Sequence, residues 1–268
     1  MTSFGIVFPP DQPPERLRDV AMAADSAGLD ELWLWEDCFA ESGVAPAAAV
    51  LAWTENLRVG IGLIPVPLRN VAITAMEIAT ISRLFPGRFL PGVGHGVLDW
   101  MGQVGVRAKS PLTLLREYTV ALRALLDGET VTTSGEYVHL DDVRLRYPPQ
   151  PPPPLLIGAI KPRTLALAGE LGDGVLLGAG DESPEAVLES VRVATEARER
   201  AGAFEVTMTV NVPVDASAEH IEAAVRPYLA VGVDRVPVCG LDAAGMPDGS
   251  DRLLGLVAEV ASARSRLV

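Results

Sequence analysis

Eight short apolar runs, each followed by a stretch of helical periodicity, set the tightest limit on how this chain can fold. The runs cover residues 4–8, 31–35, 57–64, 88–94, 155–159, 174–177, 205–212 and 235–239. Most are apolar on both faces of the alternation, the pattern of parallel strands covered on both sides by helices. Between them lie amphipathic helices with recognisable ends. One runs from about 13 to 27 with Leu17, Val20, Ala21 and Ala24 on a single stripe, and Gly28 stops it. Another places Ile221, Ala224, Val225, Tyr228 and Leu229 on one face, with Ser217 as N-cap and Gly232 as terminator. Ser183-Pro184-Glu185 starts a third by the cap-then-proline rule. Such alternation leaves two architectures, an open doubly wound sheet or a closed barrel. Eight pairs in 268 residues fit the barrel. The open sheet prefers a glycine-rich phosphate turn after its first strand, where Phe8-Pro9-Pro10-Asp11 stands instead. The expectation is an α/β protein, a single (β/α)8 TIM-barrel domain over residues 1–268.

Two stretches break the rhythm. Residues 130–147 alternate polar and apolar around Ser134-Gly135-Glu136, which predicts a small hairpin inserted between the fourth helix and the fifth strand. The proline-rich run 148–154 follows and predicts an extended, stiff lead-in to that strand. Charge narrows the function classes. Thirty-five acids against 22 bases leave a net charge of -13, a field that repels nucleic-acid backbones. Only two residues are lysine, Lys109 and Lys161. The two cysteines, Cys38 and Cys239, cannot build a disulfide framework or a four-thiolate metal site and suit a reducing compartment. No apolar run reaches the roughly 20 residues of a membrane span, and no signal-peptide pattern is present, so a cytoplasmic protein is expected.

In barrels of this kind, chemistry sits at the C-terminal ends of the strands. That rule selects Glu36, Asp37 and Cys38 after the second strand. It selects Gly62 and Leu63 at the end of the third, Gly94 and His95 after the fourth, and Gly158, Ala159, Ile160 and Lys161 after the fifth. Glu36 and Asp37 point in opposite directions on a strand, so one carboxylate can enter the mouth for proton transfer while the other caps the next helix. His95 stands between two glycines, either as a general acid or cofactor contact or as a surface histidine. Cys38 carries no sign of activation. The turn 158–161 leads from a strand into a helix, where free amides with Lys161 and Arg163 can hold a phosphate. Metalloprotease and nucleophile-elbow motifs are missing, and no metal site is expected. A cofactor that carries its own chemistry fits this scarcity of acid–base groups.

At these same positions the chain resembles the luciferase-like monooxygenase superfamily. The likeness is carried by 24–33, by Leu57-Arg58-Val59-Gly60-Ile61-Gly62-Leu63 with 65–70, by 79–89 with Gly92-Val93-Gly94-His95-Gly96, and by 158–175. The resemblance implies a (β/α)8 barrel that binds coenzyme F420, or alternatively FMN, at its mouth, with a non-proline cis peptide at Gly62–Leu63. It implies phosphate contacts at 158–161 and hydride transfer between F420 and a small organic substrate. The alternatives are oxygen-dependent monooxygenation with FMN, or a barrel that binds a flavin-type ligand without turnover. Many members have histidine where Cys38 stands, and some have glutamate near Val97. Asp37 is therefore the expected proton-transfer group here, with Glu36 and His95 behind it. A homodimer is expected by the same resemblance.

Overall fold

The computed structural model describes residues 2–178, 183–249 and 251–267. The chain opens with β1 (Ser3–Phe8), a short 3-10 turn at Pro14–Arg16 and α1 (Leu17–Ser26). Next come β2 (Glu31–Leu34), α2 (Val44–Trp53), β3 (Arg58–Pro65), α3 (Val71–Leu84) and β4 (Phe89–Gly94). After α4 (Leu98–Gln103) and α5 (Pro111–Leu126) comes the hairpin of β5 (Val131–Ser134) and β6 (His139–Val143). The barrel resumes with β7 (Leu156–Gly158), α6 (Pro162–Leu171), β8 (Gly174–Leu177) and α7 (Pro184–Glu196). It ends with β9 (Glu205–Met208), β10 (Val210–Pro213), α8 (Ala218–Ala230), β11 (Arg235–Leu241) and α9 (Leu253–Leu267).

Strands β1, β2, β3, β4, β7, β8, β9 and β11 pair in parallel in that order, and β1 pairs with β11 to close the ring. The fold is the (β/α)8 barrel that the alternation predicts. Two details differ from the sequence expectation. The run 205–212 is two strands, because at Thr209 the amide turns to Leu177 O of β8 and only then does the chain run along β11 as β10. The proline run is not uniformly extended, since Gln150–Pro151 is cis and bends it.

Helix ends follow the local chemistry. Asn70, Ser110, Ser183 and Ser217 each accept a hydrogen bond from a first-turn amide of α3, α5, α7 and α8 respectively. Gly28 after α1 and Gly232 after α8 adopt positive φ, the left-handed conformation that a helix terminator needs.

The core divides into two layers. Outward-facing strand residues such as Phe4, Ile6, Leu32, Val59, Ile61 and Ile157 pack beneath the helices. Inside the barrel lie Val7, Trp33, Leu90, Leu156 and Cys239. Below them, at the N-terminal end, Glu31 is fully buried. Its carboxylate accepts from the indole of Trp33 at 2.8 Å and pairs with Arg58 at 3.0 Å and with Arg235. Arg235 also reaches Glu205 at 2.6 Å, so one ionic group joins β2, β3, β9 and β11. Burial pushes the Glu31 carboxyl up, and the two guanidinium groups pull against it.

Trp33 fits only because Gly60 faces it: a Cβ there would lie 2.5 Å from Cδ2 of its ring, whose polar edge is fixed by Glu31. Gly60→Ala therefore overpacks a side chain that cannot retreat, and a loss of about 1–3 kcal/mol is expected. Urea unfolding with an unchanged midpoint would show that the ring is free to move.

Candidate active site at the barrel mouth

The mouth has an apolar floor. Trp35, Leu176 and Leu241 are half-buried on top of the interior cluster. Leu63 completes the floor by way of an irregularity in β3. Between Ile61 and Ile64 the β3–β4 register shifts, and the Gly62–Leu63 bond is cis, as the family likeness implies. The Leu63 side chain lies over Gly94 of β4 and Gly158 of β7. A Cβ on Gly94 would sit 2.5 Å from Leu63 Cδ2, and one on Gly158 would sit closer still. Three residues that the sequence marks separately thus form one surface.

The carboxylates after β2 have different fates. Glu36 is 6% exposed. One of its oxygens accepts from the Gly43 amide at 2.7 Å at the head of α2, and both are engaged by Arg69, which also lies 3.5 Å from Glu77. Its carboxylate is thus committed to the cap and to the loop after β3. Asp37 is half-buried, and its carboxylate has no hydrogen-bond partner among the described residues. Burial raises its pKa, and the charge of Asp11 adds to the rise. The Cys38 thiol is raised by burial, then by Glu36 and Asp37, the opposite of what an activated nucleophile needs. The bond that follows it, Cys38–Phe39, is also cis.

His95 follows Gly94 directly, half-buried, with Nδ1 enclosed and without a hydrogen-bond partner among the described residues. Burial lowers its pKa and the Pro111 carbonyl opposes this, so the ring is mainly neutral near pH 7. In the 158–161 turn, Ala159 is buried and donates to Leu176 O at 3.2 Å, which fixes the turn to β8. Ile160 and Lys161 are exposed, and Lys161 precedes α6 without a side-chain cap, so the positive end of the helix is open there. Around the rim stand exposed apolar side chains from four strand ends: Phe39, Val97, Ile160 and Met246.

Sequence reasoning missed Arg69, Trp35, Leu176 and Leu241. It also missed Glu41, whose Oε1 is enclosed without a partner among the described residues and whose pKa is raised by burial and by Glu15. Among the described residues no cluster of His, Cys, Asp and Glu could hold a metal ion. A flat, largely apolar ring with polar edges fits what is present. The floor is uncharged and kept low by glycines, and an open helix start with a lysine can take an anion.

Residues 2–258 match the luciferase-like monooxygenase family. The chain belongs to this family. It is 33% identical over 178 residues to a 5,10-methylenetetrahydromethanopterin reductase of Methanolobus tindarius, a match spanning 66% of this chain and 54% of that protein. The reductase of the same name from Archaeoglobus fulgidus is 29% identical over 91% of this chain and 74% of its own length. An F420-dependent glucose-6-phosphate dehydrogenase of Kineococcus radiotolerans is 32% identical over 75% of this chain and 65% of its own length. This chain thus matches little more than half of the Methanolobus protein. Among solved structures, an F420-dependent secondary alcohol dehydrogenase bound to an F420–acetone adduct superposes with a TM-score of 0.83 at 19% identity, covering 98% of both chains. A monooxygenase from Streptomyces bottropensis superposes with a TM-score of 0.84 at 16% identity, covering 99% of both. At these identities the two superpositions establish the shared barrel.

The raised pKa of Asp37 carries a sign for stability. The folded chain holds this proton more tightly than the unfolded chain does, so the contribution of Asp37 is fully present below its ordinary value of 3.8 and is lost as pH rises through the folded value. Asp37→Asn removes that loss. Its Tm is expected to exceed that of the parent at pH 7, with the difference shrinking as the pH is lowered toward 4. A Tm difference that stays constant with pH would show that Asp37 is solvated like a free carboxylate.

Proposed function

We propose that this chain is an oxidoreductase that moves a hydride between coenzyme F420 and a small organic molecule held over the barrel mouth. The observation that carries this reading is the floor itself, where Leu63 is seated on Gly94 and Gly158 beside Trp35, Leu176 and Leu241. The names of relatives at about 30% identity favour the deazaflavin over FMN. When bound, the deazaflavin supplies the hydride chemistry at its C5. The chain's own residues then have defined tasks. The floor supports one face of a ring and excludes water from it. The 158–161 turn, the start of α6 and Lys161 bind a phosphate. His95 presents a neutral imidazole whose enclosed Nδ1 can pair with a polar ring edge. Asp37, with its raised pKa and unpaired carboxylate, holds or accepts the proton that accompanies hydride transfer. Phe39, Val97, Ile160 and Met246 line the approach for the organic partner.

The test is a titration of the protein with F420 and, separately, with FMN, followed by turnover assays under argon. Micromolar binding of F420, corresponding to about -8 kcal/mol, and turnover without oxygen are expected. Binding of FMN alone, with turnover that stops under argon, would replace this reading with monooxygenation, and binding of neither would remove the oxidoreductase reading. Within the F420 reading, Gly158→Ala pushes Leu63 toward the ring. Because the atom met is the flexible end of a side chain, F420 affinity is expected to fall tenfold or more while Tm changes little. Unchanged affinity would take Leu63 out of the floor.

We further infer that the chain acts as one domain in the cytoplasm and as a homodimer. Among the described residues no helix is long and apolar enough to cross a membrane. On α3, Ile73, Met76 and Leu84 are exposed apolar side chains of the kind a second copy covers. Met76→Glu is expected to shift the particle to half its mass in analytical ultracentrifugation, and a monomeric parent would remove the dimer.

A further inference from the structure

One sizeable cavity lies off the barrel axis. It is a cleft of about 690 Å³ beside the mouth, walled by the loop after β3 (66–71), by residues 105–109 and by the tip of the inserted hairpin (136–139). That volume suits a small molecule. The hairpin is held there by a specific device. It folds back along α5, and the Glu117 carboxylate accepts from the amides of Glu136, Tyr137 and Val138 at 2.8–3.1 Å. Burial pushes the Glu117 carboxyl up, but these three amides hold it below the usual carboxylate value, so it stays charged and keeps the tip in place. Gly135 makes room for it, since a Cβ there would collide with the Glu117 oxygens. The Tyr137 hydroxyl accepts from the Ser110 amide at 2.7 Å, which fixes the hairpin to the start of α5. The proposed function gives this construction no task.

The cleft's charge runs against that of the chain. In a protein of net charge -13 with two lysines, it contains Lys109, Arg107, Arg69 and His139 and one acid, Glu136. Arg69 is committed to Glu36 and Glu77. Glu136 stands beside the Tyr137 hydroxyl. Lys109 has no ion-pair partner among the described residues, and the nearest acid to Arg107 is Asp99 at 3.7 Å, itself exposed. Leu114, Tyr118 and Val138 give the cleft a buried apolar back.

We propose that this cleft is a second ligand site, separate from the floor of the mouth, that takes a small molecule carrying two or more oxyanion charges, as phosphate or carboxylate. Arg107 and Lys109 bind the charge, and the hairpin supplies the wall that makes the site concave. The assignment does not depend on the identity of the cofactor.

Calorimetric titration of the full chain with inorganic pyrophosphate, and separately with citrate, at low ionic strength tests it and distinguishes the two sources of charge. Saturable binding of at least one probe is expected. It should weaken tenfold or more in the Arg107→Ala, Lys109→Ala double variant and less than twofold in Lys161→Ala, which lies at the start of α6. Both altered residues of the double variant are exposed, so its fold is expected to be retained, as circular dichroism would confirm. A second variant, Glu117→Ala, releases the hairpin and should weaken the same probe without changing either cation. Saturation with neither probe overturns the proposal. So does binding that Lys161→Ala abolishes and the double variant leaves intact, because the anion would then sit at the mouth.

Discussion

Closure of the barrel rests on a charge that water cannot reach. Glu31 is the most buried charged side chain among the described residues, and the two arginines and one indole that satisfy it come from β2, β3 and β11. Removing one partner would leave an unpaired buried charge, at a cost of about 3–5 kcal/mol. The group also sets the height of everything above it. With its nitrogen bound to Glu31, the Trp33 ring fills the interior against Gly60, and Trp35, two residues on, falls at the level of the floor. The depth of the mouth is therefore fixed from the bottom of the barrel.

The floor and the cleft use two kinds of construction. The floor is made from strand ends, where Leu63 is held between glycines of β4 and β7 and the 158–161 turn is tied to β8 through the Ala159 amide. Such positions are held by the whole sheet. The cleft wall is a hairpin attached mainly to α5, through Glu117 and through the Ser110 amide. Between the two lies Arg69, which lines the cleft and reaches back to Glu36 beside the mouth.

Much of this was legible in the sequence where the signal is local. Strand runs, helix caps at Ser183 and Ser217, terminators at Gly28 and Gly232, and the hairpin all follow from short-range chemistry. The run 205–212 reads as a single strand because its apolar pattern is continuous, whereas the break at Thr209 comes from a hydrogen bond to Leu177, a residue of another strand. The cis bond at Pro151 has no marker beyond proline itself. The site was legible as a set of positions but not as roles. Nothing between 31 and 43 says that Glu36 will meet Gly43 and Arg69 while Asp37 stays unpaired, since this depends on where the loop after β3 comes to rest. The seating of Leu63 on Gly94 and Gly158 joins residues 31 and 95 positions apart, and single-sequence periodicity does not see such contacts.

The hairpin attachment has a consequence for how proteins of this architecture diversify. Its anchors involve the Glu117 carboxylate, the Tyr137 hydroxyl and the backbone, so the other cleft-facing side chains, at 136, 138, 139 and 105–109, can be exchanged without disturbing the barrel strands. Selection can retune what the neighbouring wall recognises while the ring-binding floor keeps its shape. A lineage built on this barrel can therefore acquire new molecular clientele by rewriting these few residues on its flank.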